Sequence, residues 1–93
     1  MSTAGSTRFE IPADVVARDV AGEIMILHLG KAVYFGLNDV GSRVWQLIEE
    51  RGDLDAVCAA MAKEFDAPLE QIRGDVVALT TQLVQKGLLN VAA

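Results

Sequence analysis

Short apolar runs punctuated by glycines fill residues 15–37, and from residue 40 onward apolar positions recur at three- and four-residue spacings, so the chain reads as strands followed by helices. Val15-Val16-Ala17-Arg18-Asp19-Val20 predicts a first strand, closed by a tight turn at Ala21-Gly22-Glu23. Residues 24–29 predict a second strand, Gly30-Lys31 another short connection, and residues 32–37 a third strand. Strands joined so tightly form an antiparallel meander. On the third, Val33, Phe35 and Leu37 share the face better suited to a core, and Ala32, Tyr34 and Gly36 share the other.

Asn38 or Asp39 caps the first helix, whose stripe is Val40, Val44, Trp45 and Ile48 and whose end is Arg51-Gly52. Asp53 caps a second helix with a stripe of Leu54, Val57, Cys58, Met61 and Phe65, broken by Asp66-Ala67-Pro68. A third helix runs from about residue 69 to residue 86, with Gly87 in the C′ position and Leu88 folded back in a Schellman ending. Its core stripe is Leu69, Ile72, Val76, Leu79 and Leu83, with Asp75, Gln82 and Lys86 on a polar shoulder. The opposite shoulder carries Arg73, Val77, Thr80 and Val84, an apolar surface wide enough to border a groove, unless Val77 and Val84 pack under the sheet. The fold class is therefore α+β, a three-stranded antiparallel sheet followed by three helices. Residues 1–13 are expected as a flexible N-terminal tail and residues 14–93 as one domain.

Ninety-three residues support one small core. No apolar run approaches the ~18 residues that cross a bilayer, and the first seven residues lack the basic start and apolar centre of a secretory signal, so a soluble cytoplasmic protein is expected. A net charge of −5, with cations scattered along the chain, opposes binding to nucleic acid or anionic membranes.

One cysteine and one histidine leave no thiol or imidazole cluster for zinc, so neither a metal nor a cofactor is expected. Cys58 and His28 are the only nucleophile and base pair on offer, without a visible orienting group or oxyanion hole, and Cys58 fits better as a small core residue. Asp53 and Asp55 complement a helix N-terminus, and the isolated glycines form no phosphate-cradling pattern. No enzyme activity is expected. Trp45 reads as core, whereas Tyr34 reads either as a recognition residue or as an exposed strand tyrosine.

The pattern Tyr34-Phe35-x-Leu37-Asn38-x-x-Gly41-x-x-Val44-Trp45, a helix after Gly52-Asp53, then Asp75-Val76 and Gly87-Leu88-Leu89, resembles the PqqD-like family of RiPP recognition elements. The resemblance implies a winged-helix-like arrangement in which the leader segment of a ribosomally made precursor peptide adds as a strand against the third strand, over the third helix. With the third strand as a free edge and the apolar shoulder beside it, leader binding is expected through Ala32, Val33, Tyr34, Phe35 and Gly36 on the strand and Arg73, Val76, Val77, Thr80 and Val84 on the helix, with Arg73 meeting an acidic leader side chain. Trp45 after a Leu-Asn-x-x-Gly segment is most similar to the stand-alone recognition proteins of lasso peptide biosynthesis, which work beside a separate leader peptidase and a cyclase. The member that serves a radical-SAM enzyme in pyrroloquinoline quinone formation is the alternative, although Arg51-Gly52 stands where an acidic-Gly pair is associated with that member. A winged-helix DNA-binding protein competes as a class, but the third helix balances Arg73 and Lys86 against Glu70 and Asp75.

Overall fold

A computed structural model describes residues 7–92, and among them the elements follow the order β1 (Arg8–Glu10), β2 (Val15–Val20), β3 (Glu23–His28), β4 (Val33–Gly36), α1 (Asp39–Arg51), α2 (Leu54–Phe65), α3 (Leu69–Gln85) and β5 (Asn90–Ala92). Strands β2, β3 and β4 form the expected antiparallel sheet in sequence order, with Ala17 opposite Ile26 and Ile26 opposite Phe35. The first turn is held by Asp19, whose carboxylate accepts the Gly22 amide at 2.9 Å, while Ala21 and Gly22 both take positive φ. Two such residues match the right-handed twist of the flanking strands.

Strand alternation divides the sheet into two unlike faces. Ile24, Ile26 and His28 are buried beneath the helices, whereas Val16, Met25 and Tyr34 lie exposed on the outer face. The core joins Ile24, Ile26 and Leu37 to Val44, Trp45, Leu47, Ile48, Val57, Cys58, Met61, Ile72, Val76 and Leu83. Each fully buried aliphatic or aromatic side chain stabilises the fold by roughly 1.5–3 kcal/mol, set against the entropy of ordering the chain.

The expected caps form. Asn38 accepts the Gly41 amide at 2.8 Å, Asp53 accepts the Ala56 amide at 2.9 Å, and Gly52 closes α1 at φ +70°. Helix α3 ends in a Schellman motif, Leu88 N–H donating to Leu83 C=O and Gly87 N–H to Val84 C=O with Gly87 at φ +77°.

Several details differ from the sequence reading. Of the expected tail, residues 1–6 lie outside the described residues, but Arg8–Glu10 is a strand paired antiparallel with β5, and Phe9 is buried. The Phe9 amide donates to Gly52 C=O at 2.7 Å and the Leu54 amide to Thr7 C=O at 2.8 Å, so β1 clasps the α1–α2 connection. An aromatic side chain with a main-chain edge to pair with outweighs the polar composition around it. Ala32 belongs to the β3–β4 turn at φ +55°, so the third strand of the meander begins at Val33. Val40, Phe65 and Leu69, placed in core stripes by their spacing, are 46%, 45% and 48% exposed, because terminal helical turns overhang the core. Thr80, placed on a shoulder, is buried, its hydroxyl satisfied by donation to Val76 C=O at 2.9 Å.

Candidate functional site

Strand β4 pairs with β3 alone among the described residues, leaving its other side as a free edge. Leu37 N–H donates to Ile24 C=O at 2.8 Å, which identifies the opposed residues 24 and 37 as a hydrogen-bonded position and, by alternation, Phe35 with Ile26 and Val33 with His28. The main-chain groups of Tyr34 and Gly36 therefore face outward from the sheet. Gly36 presents that edge with little side-chain cover, and Tyr34 stands beside it 67% exposed.

A groove of about 310 Å³ opens where the end of β4 and the first turns of α1 meet α3. Met61, Ile72 and Val76 form its inner wall, while Asp75, Leu79 and Val40 are more accessible lining residues. Farther along α3, Lys86 Nζ sits 5.7 Å from the centre of the Phe35 ring, a cation–π approach that ties the helix end to β4. The β3–β4 turn brings Lys31 to the same end, its Nζ lying 2.9 Å from where a Cβ on Gly87 would stand. Among the described residues neither Asp75 nor Lys86 nor Lys31 takes part in an ion pair.

The residues expected for the site divide into separate places. Val33, Tyr34, Phe35 and Gly36 form the free-edge strand, Ala32 precedes it in the turn, and Val76 lines the groove. Val77, Thr80 and Val84 line a second cavity of about 250 Å³ with Phe9, Leu54 and Val91, beside the β1–β5 pair. At 100° per residue Val77 and Val84 point about 150° around α3 from Leu79, away from β4. Arg73 is spent on α2, its Nη2 lying 2.7 Å from Asp55 Oδ1. This division follows from which side of α3 the sheet occupies: the shoulder beside β4 is the one carrying Asp75, Leu79 and Lys86. Their helical spacing was visible in the sequence, but the direction from which the sheet approaches was not.

The family described as Coenzyme PQQ synthesis protein D (PqqD) matches residues 23–89. The chain belongs to the PqqD family. Among solved structures, this PqqD-family chain is similar to TbiB1 in complex with the TbiA(beta) leader peptide, at 32% identity and TM-score 0.84, over 90% of this chain and 98% of that one. It shares the fold of a lasso peptide synthetase B1 complexed with the leader peptide, at 18% identity and TM-score 0.80, over 89% and 98% of the two chains. No curated protein shows a significant sequence match.

The groove sets an apolar lining and one carboxylate, Asp75, beside the free main-chain edge of β4. Cys58 is fully buried between the helices, and burial pushes its thiol up, away from the reactive thiolate. His28 Nδ1 accepts the Lys31 amide at 3.2 Å and so shapes the β3–β4 turn. Among the described residues no group of three or more His, Cys, Asp or Glu side chains is arranged to hold a metal ion, and no helix is long and apolar enough to cross a membrane.

Proposed function

We propose that this PqqD-family protein binds the leader segment of a ribosomally made precursor peptide, of the lasso peptide type, by adding it as a strand to the free edge of β4 over α3. The observation that carries this reading is the outward-facing main chain of Tyr34 and Gly36 beside a groove floored by Ile72 and Val76. The 32% identity to a protein solved with its leader peptide supports leader binding, and Trp45 after the Leu37-Asn38-x-x-Gly41 segment favours the lasso reading over service to a radical-SAM enzyme. An added strand satisfies the edge amides and carbonyls whatever its sequence, while alternate side chains enter the groove and supply selectivity.

The protein is a non-catalytic partner that delivers the bound precursor to a separate processing enzyme, a leader peptidase, in the cytoplasm. Tethering of this kind raises the local precursor concentration to about the millimolar range and lowers the apparent KM without altering bond breaking. The test is fluorescence anisotropy with labelled leader peptides from lasso and pyrroloquinoline quinone precursors, followed by mass spectrometry of the recovered peptide. Saturable binding of a lasso leader returned intact is expected. Absence of binding to either leader, or a peptide cleaved by the purified protein alone, overturns the reading.

A further inference from the structure

We propose that the groove is electrically polarised, so that it selects a peptide strand carrying a basic residue toward its N-terminus, against Asp75, and an acidic residue about four positions later, against Lys86 and Lys31. The inference rests on strand addition at β4 and goes further by naming the charge order of the strand that fits.

The two ends of the seam between β4 and α3 are chemically opposite. Asp75 lines the groove where Gly36 and Leu37 end β4; beyond the groove's lining, at the seam's other end, Lys86 lies over Phe35 and Lys31 stands by Gly87. The nearest cation to Asp75 along α3, Arg73, is committed to Asp55 on α2 and points elsewhere. No ion pair neutralises Asp75, Lys86 or Lys31 among the described residues, so their charges stay available to a ligand. In a chain of net charge −5, the two cations at the Val33 end of the seam stand opposite in sign to Asp75 at its Leu37 end.

Geometry converts this into sequence. The β2–β3–β4 sheet is antiparallel throughout, and a strand continuing that pattern passes Leu37 first and Val33 last. Cross-strand neighbours share a face, so the peptide residues opposite Leu37, Phe35 and Val33 point toward α3, while those opposite Gly36 and Tyr34 point to the outer face. Asp75 and Lys86 are separated by about 16 Å of helix at 1.5 Å per residue. Four strand residues span about 13 Å, and flexible Lys, Arg or Glu side chains close the remainder. A base opposite Leu37 and an acid opposite Val33 thus meet the two ends at once. The reversed order places like charges together at both.

The experiment is an mRNA-displayed library of random ten-residue peptides, selected separately on the wild-type protein and on the exposed double variant Asp75→Lys with Lys86→Glu. Enriched sequences from the wild type are expected to carry a Lys or Arg four positions before an Asp or Glu, and those from the variant the reverse. Swapping the two charges in an enriched peptide should weaken wild-type binding roughly tenfold at low salt, and by much less at 1 M salt. Enriched peptides with no charge order, or with the same order on both proteins, overturn the polarity while leaving strand addition standing if Tyr34→Pro still abolishes their binding. Enriched peptides indifferent to Tyr34→Pro overturn the strand-addition reading itself.

Discussion

The Ser42 hydroxyl accepts the Ile24 amide at 2.8 Å and hands its own proton to the Leu37 carbonyl at 3.2 Å, both in the buried interior. It thereby completes the last rung of the β3–β4 ladder from the first turn of α1 and fixes the helix on the sheet beside the groove. Ser42→Ala leaves a buried donor and acceptor unmatched, so a loss of about 1–3 kcal/mol is expected. Thermal unfolding followed by circular dichroism checks this: a domain of this size should melt several degrees lower, and an unchanged midpoint would count against the bridge.

Proline substitutions along β4 should alternate in effect. Tyr34→Pro removes an amide that faces the free edge, so the domain is expected to stay folded while leader affinity falls tenfold or more. Phe35→Pro removes an amide turned toward β3 and should cost stability first. Urea midpoints measured beside peptide titrations separate the two outcomes, and equal losses in both assays would argue against strand addition.

A carboxylate introduced on either side of α3 distinguishes its two cavities. Leu79→Asp lies beside the β4 groove and must be desolvated when a peptide covers it, weakening binding by about 1–3 kcal/mol. Val77→Asp, 40% exposed at the wild-type position and turned toward the β1–β5 side, is expected to leave leader affinity within about twofold of wild type. Calorimetric titration of both variants gives the comparison, and the opposite ranking would relocate the peptide to the second cavity.

Phe9 is 8% exposed and packs with the core, although it falls within the segment expected to be a tail. Phe9→Ala should destabilise the domain by about 3 kcal/mol, the usual scale for truncating a buried phenylalanine. Removing residues 1–10 should expose the backbone amides of β5 to hydrogen exchange as well. Unchanged exchange at residues 90–92 would show that the β1–β5 pair contributes nothing to order there.

Arg43 grips Glu64 through two hydrogen bonds of 2.8 Å, clamping α1 to α2 and holding the Glu64 carboxyl below the ordinary glutamate range. A carboxyl whose pKa is depressed in the folded state binds protons more readily when unfolded, so its contribution is present above the ordinary glutamate pKa and is lost as pH falls through the folded value. Wild type should therefore exceed Glu64→Gln in stability near neutrality and converge with it in acid. Denaturant midpoints from about pH 3 to pH 6 test the convergence. Parallel curves for the two proteins would remove Glu64 from the acid transition.

The local rules of the chain were legible without tertiary information. Asn38, Asp53, Gly52 and Gly87 cap or close their helices as their types and positions require, because those roles depend on neighbours within a few residues. Strand alternation likewise told Phe35 from Tyr34, the first half-buried and the second exposed. Three outcomes depended on partners distant in sequence. Arg8–Glu10 became a strand because β5 supplied an edge 80 or more residues later, and Ser42 became a ladder rung because α1 crossed β3. The shoulder of α3 that borders β4 carries Asp75, Leu79 and Lys86, leaving Val77 and Val84 on the far side. A helical wheel determines which residues share a face but carries no information on which face the sheet approaches, and that choice is made by the packing of the whole core.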